Sequence, residues 1–269
     1  MARLEGKVAF ITGAARGQGR AEAVRLAAEG ADIIAVDIAG PVSEYNRYAP
    51  VTQDDLDETA KLVEAEGRRI IARRADVRDL DALQSAVDEG VAAFGRLDFV
   101  VANAGILNYG KAWELTEKQW QEVIDVNLTG VWKTTKATIP TLIEQGRGGS
   151  IIITSSVAGL RGLPFTAHYA SAKHGIVGLC RTLANELGEF DIRVNTLHPF
   201  GVTTPMGLDA SLGEILAANP GLGPIFMPAL PHIMAEPEDI ANVVAFLASD
   251  EGKFITGVQL PIDLGTLAR

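Results

Sequence analysis

The chain has 269 residues, 47% of them hydrophobic, and a formal net charge of −10. The length suits one large α/β domain, and the negative charge argues against nucleic acid or anionic membrane as partners, both being polyanions. A single cysteine, Cys180, excludes an internal disulfide, and neither a signal-peptide core nor an apolar run of the roughly 18–20 residues that span a bilayer is found, so a cytoplasmic protein is expected.

The first strand is read at Val8–Ile11, followed by Thr12-Gly13-Ala14-Ala15-Arg16-Gly17-Gln18-Gly19 and a helix near 18–29. Residues without Cβ let backbone approach a pyrophosphate, and the helix that follows aims free N–H groups and its positive dipole end at it. The turn predicts a phosphate site built on Gly13, Ala15, Arg16, Gly17, Gln18 and Gly19. The second strand, Ile33–Val36, runs into Asp37 and Ile38. An acidic side chain there can bind both hydroxyls of an adenosine ribose and repel a 2′-phosphate, which predicts NAD over NADP. Arg16 pulls the other way, since a basic group beside the glycines favours a 2′-phosphate; Asp37 stands directly at the ribose and decides.

Residues 38–52, with Pro41, Tyr45, Tyr48 and Pro50, form a connection far longer than the usual ~2–6 residues. A lid over a ligand is one reading and a solvated excursion or subunit contact the other. A helix near 53–66 and a strand at Ile70–Ala72 lead to Asp76-Val77, which reads either as a helix cap or as a contact for an adenine amino group. A helix at 80–94 and a strand at Phe99–Ala102 precede Asn103-Ala104-Gly105, whose backbone can lie close to the same ligand. One helical pattern covers 116–145. The strand Ile151–Thr154 ends in Thr154-Ser155-Ser156, and a helix at 167–188 carries Tyr169 and Lys173. The strand Arg193–Leu197, a proline-rich connection over 199–235 that holds the substrate-loop region 203–235, a helix at 238–248 and a strand at Gln259–Ile262 complete the chain.

The seven strands read as apolar on both faces, as buried parallel strands are. Their alternation with helices predicts one α/β domain over 1–269, a doubly wound Rossmann fold with about seven parallel strands and helices on both faces. Ligands in such folds bind beyond the carboxyl ends of the strands. Tyr169 and Lys173 are four residues apart and share a helix face. Oxidising an alcohol by hydride transfer requires removing its hydroxyl proton. A phenol, with pKa near 10, needs a nearby positive charge to act as that base. Ser156 can hydrogen-bond the substrate oxygen, and Lys173 can also bond a nicotinamide ribose.

Together the Thr12–Gly19 turn, Asp37, Asp76, Asn103-Ala104-Gly105, Asn127, Ser156, Tyr169 and Lys173 resemble the short-chain dehydrogenase/reductase family over essentially the whole chain. The resemblance implies an NAD-dependent interconversion of a secondary alcohol and ketone, with Tyr169 as general base and acid. It implies a catalytic set of Asn127, Ser156, Tyr169 and Lys173, in which the side chain or local backbone of Asn127 holds a water joining Lys173 to solvent. From the residues alone Asn127 reads as a helix irregularity. Asn127 and Thr154 also join the expected cofactor contacts. The family commonly has Pro-Gly after the sixth strand; here Pro199-Phe200-Gly201 displaces the glycine by one. Val202 then offers backbone groups to the carboxamide and Thr204 reaches the phosphates. A homotetramer is implied, through helices 116–145 and 167–188, where Trp132 and Leu183 extend beyond one core face.

A narrower resemblance rests on Thr12–Arg20, on the insertion containing Ala39-Gly40-Pro41-Val42 and on Ala75-Asp76-Val77-Arg78-Asp79. These resemble the actinobacterial carveol-dehydrogenase-like, mycofactocin-coupled enzymes. It implies an insertion that covers NAD held through turnover, an external redox carrier that reoxidises it, and a cyclic terpenoid alcohol as substrate. Two alternatives are a dehydrogenase of another small hydroxy substrate with freely exchanging NAD and an NAD-binding regulator without turnover. A regulator has no need of the phenol–ammonium pair, while glycine spacing and length disfavour a sugar epimerase or dehydratase. Asn108, Tyr109, Leu163, Phe165, Phe200 and the 206–234 segment suggest a mostly apolar substrate. His168, His174, His198 and His232 lack metal-ligand spacing, so no metal site is expected. His168 faces either the pocket or solvent, Cys180 is a helical core thiol, and Trp113, Trp120 and Trp132 read as helix-packing anchors.

Overall fold

The computed structural model describes residues 2–269. Seven parallel strands form one sheet: β1 Val8–Thr12, β2 Asp32–Asp37, β3 Ile70–Arg74, β4 Phe99–Ala102, β5 Gly149–Thr154, β6 Ile192–Pro199 and β7 Gln259–Ile262. Their order is β3-β2-β1-β4-β5-β6-β7. The chain builds outward from β1 to β3, then crosses back to β4, so the direction of winding switches between β1 and β4. A crevice opens there beyond the carboxyl ends of the strands.

Alternate residues of β1 serve opposite faces. Ala9 and Ile11 pack with α1 (Gly17–Ala28), α2 (Gln53–Ala65) and α8 (Pro237–Ala248), through Leu26, Leu56 and Val244. Val8 and Phe10 pack on the other face with α3 (Leu80–Phe94), α4 (Glu117–Ile124), α5 (Gly130–Gln145) and α6 (Ala167–Leu187), through Val87, Val123, Val131 and Ile176. The central strands are buried on both faces as expected. The edge strands differ: β3 and β7 are half-exposed, with Arg73 and Arg74 facing out. Each has a neighbour on one side alone.

The 116–145 pattern is not one helix. Thr116 caps α4 in a box with Gln119, and a π turn over Asp125–Thr129 then separates α4 from α5. The buried Asn127 side chain occupies this turn: its Oδ1 accepts from Ile106 N at 3.0 Å and its Nδ2 donates to Ile106 O at 2.8 Å. The 199–235 connection is also more ordered than its prolines suggest. It contains α7 (Ser211–Ala218) and a 3₁₀ segment, Pro220–Phe226. Its base is closed by Ala235 N donating to Gly201 O at 2.7 Å and Thr203 N to Ala235 O at 2.9 Å. Trp113, Trp120 and Trp132 are exposed rather than packed, whereas Leu183 lies in the core. Among the described residues no helix is long and apolar enough to cross a membrane, and no cluster of metal-ligating side chains occurs.

Glu22, early in α1, is fully buried, and neither carboxylate oxygen has a partner among the described residues. Burial pushes its pKa from an ordinary 4.5 up to about 8. Between these values the unfolded chain has released the proton that the folded chain keeps, so stability falls as pH rises from about 4.5 to 8. Glu22→Gln removes this loss. Its stability relative to the parent should rise by roughly 1–3 kcal/mol over that range in urea unfolding; a difference constant with pH would contradict the assignment.

Candidate active site

The turn after β1 is shaped by close packing. Gly13 sits at φ +68°, and a Cβ there would stand 2.8 Å from Ala104 Cα; one on Gly19 would stand 2.2 Å from the Gly13 carbonyl oxygen. Thr12 Oγ1 accepts the N–H groups of Asn103 and Ala104 at 3.1 Å, and Asn103 Nδ2 donates to the carbonyls of Thr12 and Gly13. The turns after β1 and β4 are thereby stitched into one wall. At the start of α1 the N-cap Arg16 provides no side-chain cap, so the first-turn N–H groups and the positive helix end remain available to an anion.

Asp37 closes the next side. Its Oδ2 accepts from Ala15 N at 3.0 Å and its Oδ1 from Ala39 N at 3.2 Å. Burial raises its pKa above the ordinary value against the opposing pull of these amides and Arg16. Ala39 is held at φ +45°, in the left-handed region, where the chain leaves for the 38–52 insertion. Asp76 is gripped by Arg78, whose Nε and Nη2 reach its carboxylate at 2.9 and 2.6 Å. Burial opposes its charge, but the Arg78 hydrogen bonds prevail and hold its pKa below the usual value.

At the far end, Ser156 leaves β5 and its Oγ accepts from Ala158 N at 3.1 Å. Lys173 is 2% exposed; its Nζ donates to the Thr154 carbonyl at 2.7 Å and lies 5.5 Å from the centre of the Tyr169 ring. Burial lowers the Lys173 pKa to about 7. Burial also pushes the Tyr169 phenol up to about 12, against the pull of the Ser156 hydroxyl. The expected lowering of the phenol by the ammonium is therefore not found in the protein alone. Desolvation favours the neutral form of both groups.

All these groups face one cavity of about 390 Å³. Gly13, Arg16, Gly17, Gln18, Asp37, Ile38, Asp76, Val77, Asn103, Ala104, Gly105, Thr154, Ser156, Tyr169, Lys173, Pro199, Gly201, Val202 and Thr204 line it. Three expected cofactor residues stand behind the wall. Ala15 spends its N–H on Asp37, Gly19 packs on Gly13, and the Asn127 side chain bonds both backbone groups of Ile106. Thr204 lies against Gly17, where a Cβ would meet its methyl at 3.1 Å. Of the expected substrate-side residues Tyr109, Leu163, Phe200, Met206 and Phe226 line the cavity, while Asn108 and Phe165 do not. His168 faces neither pocket nor solvent. It is fully buried and its Nε2 lies 2.8 Å from Asn108 Oδ1. His198, on β6, was not singled out by its sequence context; its Nδ1 lies 2.6 Å from the Ser156 carbonyl and braces that turn. Cys180 is buried, with its thiol pushed up to about 11, as a core residue.

The 38–52 insertion is a strap fastened on three sides. Ser43 Oγ donates to Glu122 at 2.6 Å and Lys118 pairs with Glu44, both on α4. Arg47 pairs with Glu214 of α7 at 2.6 Å. Arg16, read as a potential 2′-phosphate ligand, instead donates to the Ala49 carbonyl at 2.7 Å and lies 5.9 Å from the Tyr48 ring centre. Gln18 Oε1, Asn46 Oδ1 and Thr154 Oγ1 belong to residues of the cavity wall and are buried without a partner among the described residues. Unpaired buried polar atoms are costly, so their presence around a glycine cradle and an open helix end fits a dinucleotide.

A nucleotide-binding α/β oxidoreductase class is what this fold and site define. A family model described as enoyl-(acyl carrier protein) reductase matches residues 13–266. The chain is 52% identical to a short-chain dehydrogenase from Mycobacterium paratuberculosis crystallised with NAD, with a TM-score of 0.97 over 99% of this chain and 100% of that one. Against the carveol dehydrogenase of Mycobacterium avium in complex with NAD the identity is 48% and the TM-score 0.95, covering 100% of both chains. It is 46% identical to the (−)-trans-carveol dehydrogenase of Rhodococcus erythropolis over 99% of each chain. The chain belongs to the short-chain dehydrogenase/reductase family.

The buried Lys173 has a stability consequence. The unfolded lysine keeps its proton to about 10.5, while the folded one loses it near 7. Between these values the unfolded state binds more protons, so stability rises with pH. Lys173→Met should therefore melt above the parent at pH 6–7, by a few degrees, with the gap narrowing toward pH 10. A gap independent of pH would contradict the burial of a titrating ammonium.

Proposed function

We propose that the protein is an NAD-dependent oxidoreductase that interconverts a cyclic secondary alcohol and its ketone, with Tyr169 as general base and acid. One observation carries the reading: Ser156, Tyr169 and Lys173 converge at one end of a cavity whose other end is the open N-terminus of α1 and Asp37. Glycine-turn backbone would hold the diphosphate, Asp37 the adenosine ribose, and Lys173 the nicotinamide ribose. Bound NAD supplies the hydride acceptor together with a positive charge. Ser156 orients the substrate oxygen and steadies its developing negative charge. Tyr169 takes the hydroxyl proton, and Lys173 stabilises the phenolate. Asn127 acts behind them by fixing the Ile106 segment. Tyr169→Phe should lower kcat by at least about 10³-fold while NAD still binds, as measured by steady-state turnover and nucleotide titration; substantial retained turnover would remove the phenol from this role.

A carboxylate at the ribose explains a preference for NAD. Asp37→Ala should lower the NAD/NADP ratio of kcat/KM by about tenfold or more; an unchanged ratio would place discrimination elsewhere. The carveol dehydrogenases among the relatives and the apolar Leu163, Phe200 and Phe226 around the cavity support a terpenoid-like ring as substrate. The strap supports NAD retained through turnover and reoxidised by an external redox carrier. The exposed Trp120 and Trp132 would be covered in a homotetramer, and the protein would work in the cytoplasm. Glu214→Ala frees the strap from α7 and should speed NAD release severalfold in a stopped-flow chase of nucleotide fluorescence. Parent enzyme that exchanges NAD within seconds would remove the retained-cofactor reading and favour an ordinary co-substrate.

A further inference from the structure

The cavity holds more hydrogen-bonding capacity than a simple alcohol uses. Three of the chain's four tyrosines line it: Tyr48 from the strap, Tyr109 from the segment after β4, and Tyr169 from α6. Tyr169 is committed to the reacting oxygen under the function proposed above, on which this inference rests. The Tyr48 hydroxyl accepts the Leu107 N–H at 3.4 Å, and its proton has no acceptor among the described residues. The Tyr109 hydroxyl likewise has no partner among them. Both phenols are pushed up chiefly by burial, with Tyr169 and Asp209 acting in the same direction on each. They stay neutral and keep their protons, so each is a donor at any physiological pH.

Leu163, Phe200 and Phe226 supply the apolar part of the same wall. Tyr48 and Tyr109 are half-buried and line the cavity, so their hydroxyls are open to an acceptor on a bound ligand. Tyr48 is also held in place rather than swinging free. Arg16 stands over its ring at 5.9 Å, and Arg47 beside it is tied to Glu214. The strap thus contributes to the substrate end of the cavity as well as to its cofactor end.

We propose that Tyr48 and Tyr109 are specificity-determining residues that bind a second, hydrogen-bond-accepting oxygen on the substrate, at a distance from the carbinol carbon that Tyr169 serves. The favoured substrate is then a ring alcohol carrying an ether, carbonyl or further hydroxyl group, with apolar surface between the two oxygens.

The test compares 3- and 4-methoxycyclohexanol with 3- and 4-ethylcyclohexanol, pairs of similar shape that differ in one acceptor. The parent enzyme should favour one methoxy isomer over its ethyl partner by about five- to tenfold in kcat/KM, the size of a neutral hydrogen bond. Tyr48→Phe with Tyr109→Phe should bring that ratio close to one. The ratio separates the hydroxyls from any general loss through a loosened strap. A parent ratio near one for both isomers, or a ratio unchanged in the double variant, would overturn the proposal. Binding of the corresponding ketones to NADH-loaded Tyr169→Phe protein, read by nicotinamide fluorescence, gives the same comparison without turnover. A binding ratio that follows the two hydroxyls upholds the second-oxygen site even if no alcohol in the series is oxidised; equal binding of the two ketones overturns it.

Discussion

The site is organised around a lysine ammonium that the fold has taken out of water and given one protein carbonyl, that of Thr154. A buried cation with so little compensation is unstable in its charged form. Beside it the Tyr169 phenol is held neutral by the same dryness. Neither group is ready for proton transfer by itself. The protein has placed a phenol, an amine and the Ser156 hydroxyl along one cavity, where a further charge would shift the protonation of the first two. That arrangement favours chemistry that occurs only with a charged ligand present, and it costs stability when the cavity holds none.

The remaining structure serves to hold that end of the cavity at a fixed distance from the glycine turn after β1. The switch of winding between β1 and β4 opens the crevice, and the hydrogen bonds from Thr12 and Asn103 lock its two lips together. His198 braces the Ser156 turn from β6, and Asn127 uses a π turn to brace Ile106 from the far side. The strap then ties the glycine turn to α7: Arg16 holds it at one end, Arg47 and Glu214 join it to α7, and Tyr48 lines the cavity from it. Exposed ion pairs contribute little singly, so no one of the strap's ion pairs holds it alone.

Much of this was legible in the sequence because it rests on local rules. The strand positions, the glycine turn, Asp37 and the Tyr169–Lys173 spacing all follow from periodicity and from what glycine and a helix end can do. The departures have a common cause. Asn127 breaks a helix through a bond to Ile106, 21 residues away, and no pattern within 116–145 encodes that partner. His168 and His198 acquire their roles from Asn108 and Ser156. Helix α7 hides among glycines and prolines and is fastened by Arg47, 167 residues from Glu214. The pKa of Tyr169 could not be read from a neighbouring lysine, because burial acts on both groups and the sequence records only their spacing. Arg16 illustrates the same limit: its charge was visible, but the strap backbone that engages it was not.

The central claim is that the Tyr169 phenol, the base of the proposed reaction, is held neutral by burial until a positive charge joins it in the cavity. The direct measurement is a ¹³C NMR titration of protein carrying tyrosine labelled at Cζ, with the Tyr169 signal assigned by Tyr169→Phe, in the presence and absence of NAD⁺. The account predicts a Tyr169 pKa of about 12 in the protein alone and a fall of at least about two units when NAD⁺ binds. A phenol that already titrates near neutrality without nucleotide, or one that stays near 12 with NAD⁺ bound, would contradict it.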